Sequence, residues 1–189
     1  MEEYRAANEP KTEHLPAPTV SVSWSPPSHK HYKINIDGVV FSRKKQAGAG
    51  VIIRDGEGQV VAALSKHWYY PLGVIKAKEK AWEAGVLFAR DVGIQDVEFE
   101  GDSLVVCNAL QGLASLPSSV ANVLTGFLNQ AWLFRQWKVT HIKRPGNVPA
   151  HLLAQLAQHV RDYVAWLEEC PSPIEHACAQ DKCNLPFVV

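Results

Sequence analysis

Two aspartates in this sequence stand beside glycines where apolar, alternating runs come to an end. Asp37-Gly38 closes KINIDG, and Gly101-Asp102 closes VEFEGD. If these runs are neighbouring strands, both carboxylates reach one edge of a sheet. Converging carboxylates repel unless a proton or a cation joins them. Magnesium suits such a place, because it takes oxygen ligands and keeps several waters for a phosphate-bearing partner. Two such ions about 4 Å apart activate a water and stabilise the leaving oxygen of a phosphodiester. Each dipeptide also has a plainer role. Asp-Gly is a turn pair, and Asp102 can cap a helix beginning near Ser103.

The elements that would position these residues follow from periodicity. Residues 31–38 alternate Ile34 and Ile36 with polar Lys33, Asn35 and Asp37, a strand pattern. AGAGVIIRD (47–55) reads as a second strand, its glycines permitting a bulge or the close approach of another backbone. DGEG is a hairpin turn and QVVAALSKHW (59–68) a third strand, making an antiparallel meander. The period then changes. Ala77, Ala81, Trp82, Ala84, Val86, Phe88 and Ala89 recur at helical spacing over 75–92, and Gly93 is a stop. A strand at 95–102, helices at 103–110 and 120–134, a strand at 137–144 and a helix opened by Pro149 complete the order β-β-β-α-β-α-α-β-α. This predicts an α/β fold, a mixed sheet with helices on its faces. Trp82, Trp166 and Leu167 read as core or docking residues.

Five prolines among the first 30 residues, with Ser, Thr and Glu around them, predict a linker or disordered arm over 1–30. The folded domain is expected over 31–174 and a tail over 175–189. Cys170, His176, Cys178 and Cys183 lack the paired spacing of a zinc site and read as part of that tail. The cysteines fit no familiar disulfide framework, and the acidic, polar N-terminus is not a secretory signal, so an intracellular setting, nucleus or cytoplasm, is expected. No apolar run reaches the roughly 20 residues a bilayer demands, so no membrane association is expected. Lys+Arg and Asp+Glu both number 19, which removes any whole-molecule pull on nucleic acid and leaves only local patches to supply one.

KINIDG, AGAGVIIRDGEGQVVAALS, the alanine-rich helix, VEFEGDSLVVCNAL, VTHIKRPGNVPAHLLAQLA and WLEECPSPI follow in the order and spacing of plant type 1 ribonuclease H domains. Over roughly residues 31–174 the chain resembles this single-domain, reverse-transcriptase-related family. The resemblance implies a ribonuclease-H-like fold, a five-stranded mixed sheet of antiparallel meander plus parallel strands, flanked by helices. It also implies cutting of RNA in an RNA–DNA hybrid, with Mg²⁺ held by acidic residues. Asp37 matches the first-strand aspartate and Asp102 the aspartate of the EGDS motif, so both are expected as metal ligands. The last acidic position falls in Asn147-Val148-Pro149-Ala150-His151, where His151 replaces aspartate. It would ligate a metal through nitrogen, although Mg²⁺ prefers oxygen, shuttle a proton, or stand as a surface histidine.

The remaining acidic position, near the start of the long helix, falls on Lys78 when Ala77 and Ala84-Gly85 are aligned. Glu79 is about 100° further round the helix. An ammonium beside Asp37 and Asp102 would neutralise them where a metal otherwise does, and a cationic site repels a further cation. Two readings follow: a Mg-dependent hybrid endoribonuclease with His151 assisting, or an impaired nucleic-acid-binding module in which Lys78 has displaced the metal. In the plain alternative Lys78 snorkels to solvent. The expected contacts to nucleic acid are Asn35, Arg43, Lys44, Lys143, Arg144 and Asn147, with Lys45, Lys138, Trp132 and Trp137 nearby. A monomer acting on an RNA–DNA hybrid or another nucleic acid is expected.

Overall fold

The computed structural model describes residues 23–113 and 118–185. β1 (Tyr32–Phe41) turns through a single tight helical turn at Ser42–Lys44, with Lys45 left-handed at φ 52°, into β2 (Gln46–Arg54). Asp55 organises the next turn, its Oδ1 accepting from the backbone N–H groups of Glu57 and Gln59 at 2.9 and 2.8 Å, before β3 (Val60–Trp68). There follow α1 (Val74–Asp91), β4 (Asp96–Gly101), α2 (Leu104–Leu110), α3 (Ser118–Ala131), β5 (Gln136–His141), α4 (Val148–Leu156), β6 (Tyr163–Leu167) and α5 (Glu175–Cys183).

The six strands form one sheet in the order β5-β4-β1-β2-β3-β6. β1 pairs in parallel with β4, as does β4 with β5, and the other neighbours are antiparallel. Strand alternation sends two sets of side chains to opposite faces. Ile34, Ile36, Val51, Ile53, Leu64 and Phe99 pack with α1 residues Ala81, Trp82 and Val86 in the larger core. Ile52 and Ala63 pack with α4 residues Ala150 and Leu153 in the smaller one.

Two glycines set how close the helices come. A Cβ on Gly38 would lie 2.4 Å from the Ala77 carbonyl oxygen, so α1 rests directly on β1. A Cβ on Gly50, the register partner of Asp37, would lie 2.1 Å from the Ala150 carbonyl oxygen, so α4 rests on β2. Both approaches occur beside Asp37.

Three features differ from the sequence reading. The sheet has a sixth strand, YVAWL, on the β3 edge; Trp166 is partly buried there, but Leu167 is 63% exposed rather than docked. Within the expected arm, residues 1–22 lie outside the described residues, while 23–30 pack onto the domain. Trp24 is buried with the Arg54 guanidinium 3.9 Å from its ring centre, and the Ser28 N–H donates to Glu98 at 2.7 Å. The expected tail forms α5 through residue 183 and buries Cys178 against Ile174 and Ile52; residues 186–189 lie outside the description.

These terminal segments close over a polar stretch of the sheet. Arg54 donates to Asp181 at 2.6 Å and to Asn35 Oδ1 at 2.9 Å, Asn35 donates to Glu100 at 2.8 Å, and Lys33 reaches Glu100 at 3.3 Å. The remaining charges in this buried patch are paired too, since Lys138 meets Glu98 at 2.9 Å.

Candidate functional site

The pairing of β1 with β4 ends at Ile36 and Gly101. Asp37 is therefore the first β1 residue beyond the end of β4, and Asp102 is the first residue after β4. The expected convergence is present, although β1 does not close at Asp37-Gly38 but runs on to Phe41 against β2, so the crevice lies past the carboxyl end of β4 and beside the continuing β1. Asp102 does not cap α2; the helix starts from Ser103 without a side-chain cap, and the Asp102 carboxylate turns into the crevice.

Lys78 reaches the crevice from α1. Its Nζ lies 2.5 Å from Asp37 Oδ1 and 2.5 Å from Asp102 Oδ1, bridging the two carboxylates, and its side chain is only 14% exposed. It does not snorkel to solvent. From α4, His151 Nδ1 lies 2.6 Å from Asp37 Oδ2, and Gln155 Nε2 lies 3.0 Å from His151 Nε2. With the Gln155 amide donating to Nε2, the ring proton sits on Nδ1 and is donated to Asp37. Asp37 also accepts the Gly38 N–H at 2.8 Å.

Burial alone would raise the Asp37 pKa. The His151 hydrogen bond and the Lys78 charge outweigh it and hold the carboxyl below its ordinary range. Burial would likewise lower Lys78, and the charges and hydrogen bonds of Asp37 and Asp102 instead hold it above the usual lysine value. Arg144, 70% exposed, brings its Nε to 3.8 Å from Asp102 Oδ2. The ammonium and the guanidinium offset the charges of the two carboxylates.

That balance bears on magnesium. One oxygen of each aspartate holds Lys78, the second oxygen of Asp37 takes the His151 proton, and the next donor is a nitrogen. Among the described residues no group of three or more His, Cys, Asp and Glu is arranged to hold a metal ion. The residues present do not fit a pair of magnesium ions, which need converging, uncompensated oxygen donors.

Glu79 does not supply the missing carboxylate. It is fully buried, and neither carboxylate oxygen has a hydrogen-bond partner. Burial pushes its carboxyl up to about 7 against the opposing charge of Lys76. Glu83 is held by Lys80 at 2.6 Å.

A cleft of about 520 Å³ opens over the site, lined by Val40, Phe41, Lys78, Arg144, His151 and Gln155. Arg43, Lys44 and Lys143 are exposed, and Lys44 donates to Gln158 at 3.3 Å. Two residues expected to touch nucleic acid do not face the cleft. Asn35 is buried in the polar stretch described above, because strand alternation hides it under the terminal segments. Asn147 is fully buried and donates to the Ile36 carbonyl at 2.9 Å, tying the start of α4 to β1. Trp137 and Lys138 lie toward the start of β5, with Trp132 beside Trp137, whereas Arg144 follows the end of that strand. Gln155 escaped the sequence reading, although i,i+4 spacing from His151 was a usable signal.

A family model described as reverse transcriptase-like matches residues 35–157, the span from β1 through α4 that holds the whole site. The RNase H1 of the halophilic archaeon Halobacterium salinarum is 25% identical, with a TM-score of 0.65 over 68% of this chain and 98% of that one. The N-terminal RNase H domain of a Mycobacterium tuberculosis protein is 20% identical, with a TM-score of 0.62 over 68% and 94% of the two chains. LC11-RNase H1, solved in complex with an RNA/DNA hybrid, is 20% identical with a TM-score of 0.62 over 67% and 95%. These last two likenesses concern the fold. No match was found among curated protein sequences.

Proposed function

Because the chain belongs to the reverse transcriptase-like family of ribonuclease-H-like domains, we propose that it is a nucleic-acid-binding module of that fold whose paired aspartates are neutralised by Lys78 in place of magnesium. The carrying observation is the Lys78 ammonium at 2.5 Å from both Asp37 and Asp102. An ammonium balances charge but offers no vacant coordination position, so it cannot lower the pKa of a bound water as a divalent ion does. Metal-dependent cleavage of an RNA–DNA hybrid is accordingly weak or lost.

Binding draws on a different set of groups. Arg43, Lys44, Lys45 and Lys143 are exposed and make no ion pair among the described residues. Arg43 and Lys44 line a hollow next to the cleft, Lys45 follows them in sequence and Lys143 precedes cleft-lining Arg144, so these groups suit the phosphates of a polynucleotide. In a hybrid, recognition would pass through duplex shape, phosphates and 2′-hydroxyls. The hybrid bound by LC11-RNase H1 supports this class of partner.

One observation favours residual hydrolysis, the intact Asp37–His151 pair at 2.6 Å. The two readings separate in one experiment with wild type and Lys78→Glu, using a labelled RNA–DNA hybrid and calorimetric titration with Mg²⁺. Wild type is expected to bind the hybrid with no measurable heat of magnesium binding and little cleavage. Lys78→Glu is expected to gain both metal binding and cleavage. Robust wild-type cleavage that Lys78→Glu does not raise would sink the proposal.

A further inference from the structure

Beside the basic groups, the strand ends around the site carry aromatic rings. Phe41, at the end of β1, meets His67 edge-on with ring centres 6.2 Å apart, and His67 lies 4.2 Å from Tyr69 at 37°. His67 is fixed. Its ring nitrogens bond the Val160 carbonyl at 2.8 Å and Gln46 Oε1 at 3.1 Å, and the residue is buried. Tyr69 thus rests on an immobile ring while remaining 59% exposed, and Tyr70 beside it is 45% exposed. A large ring held in place but left open to water is suited to stacking.

Cations adjoin this row. The tight turn after Phe41 splays Arg43 and Lys44, with left-handed Lys45 following. Phe41, Ser42 and Gln158 line both the site cleft and a neighbouring hollow of about 270 Å³ that also includes Arg43 and Lys44. The surface is therefore continuous from Lys78 and Arg144 to the basic turn. Of the other exposed rings, Tyr163 on β6 has the Lys66 ammonium 5.8 Å from its centre, and Trp132 differs in its setting. It stands 5.8 Å from Trp137 near Arg135 and Lys138, whose charges are already taken by Asp96 and Glu98.

A duplex presents phosphates outward and keeps the faces of its bases stacked inside. It can use the cations of this surface but not the open ring. An unpaired strand offers both phosphates and base faces. We infer that this end of the sheet binds an unpaired polynucleotide strand, with phosphates on Arg43, Lys44 and Lys45 and a base stacked on Tyr69. The inference rests on the nucleic-acid reading above and extends it to an unpaired strand as a partner.

The test uses fluorescence anisotropy of the full chain in chelator, with a labelled oligouridylate of about 12 nucleotides. The oligonucleotide is offered alone and annealed to oligodeoxyadenylate. Wild type is expected to bind both. Tyr69→Ala is expected to lower the ratio of single-strand to hybrid affinity about tenfold, the scale of one lost stacking contact, and Tyr69→Trp to restore it. An unchanged ratio in Tyr69→Ala, at an unfolding midpoint equal to wild type, overturns the inference. So does a wild type that binds the hybrid but not the single strand, and in that case the broader reading survives. Failure to bind either form defeats both.

Discussion

At Lys78 burial and charge act in opposite directions, and charge prevails. The depressed Asp37 contributes stability that is present above the ordinary carboxylate range and is lost as pH falls through its lowered value. The raised Lys78 contributes stability that is present below the ordinary lysine value and is lost as pH rises through its elevated one. Together they support the fold across the neutral range. The adjacent residue behaves in the reverse sense. Glu79 is pushed from 4.5 up to about 7, so between those values the folded state holds a proton that the unfolded state has released. Stability therefore falls as pH rises through this window, by about 3 kcal/mol once the carboxylate is fully charged. Urea unfolding at pH 5 and pH 8 checks this. Glu79→Gln should be comparable to wild type at the lower pH and more stable at the higher one, and a pH-independent difference would contradict the assignment.

At the level of elements, the site depends on two helices pressed against glycines. Gly50→Ala would set a methyl 2.1 Å from the Ala150 carbonyl and 2.3 Å from the Ala154 nitrogen, both backbone atoms of α4. The helix must lift, at a cost of about 1–3 kcal/mol, and His151 leaves Asp37. Chemical denaturation reads the first effect and the ¹⁵N shifts of the His151 ring read the second. The glycines of AGAG already suggested close backbone approach in the sequence, and strict alternation made β1 and its aspartate legible. The spacing of Ala77 and Ala84-Gly85 points to Lys78 in the sequence, and Lys78 reaches both aspartates because α1 runs unbroken and a helix fixes the direction of each side chain. The terminal elements were harder to read. YVAWL alternates in burial, but its five residues are all apolar or aromatic, so no apolar–polar alternation marks it in the sequence. Trp24 lies in a proline-rich stretch whose packing partner, Arg54, looks in sequence like the charged end of a strand. Asn35 and Asn147 are polar and stand near the expected site in sequence, whereas their burial follows from which face each strand or loop turns inward.

Over the whole molecule, equal numbers of acidic and basic residues conceal an uneven distribution. Away from the site, Arg90, Arg135 and Lys138 are paired with Asp91, Asp96 and Glu98. Around the cleft, Arg43, Lys44, Lys45 and Lys143 have no such partners among the described residues. Binding to a polynucleotide should therefore weaken steeply with salt despite the zero net charge. Arg43→Ala and Lys44→Ala should each reduce the slope of log K against log salt by about 1, and Lys138→Ala should leave it in place. Filter binding across a salt series decides the matter. Arg54 has a separate, temporal consequence. Its guanidinium is covered by Trp24 and neutralised by Asp181, residues from opposite ends of the described chain. During synthesis from the N-terminus the arginine emerges long before its aspartate. The sheet can pair and α1 can dock while that charge is still hydrated, but the polar face can be sealed only after α5 arrives. Helix α5, which leaves the ribosome after every strand of the sheet, is thus the element that seals the domain.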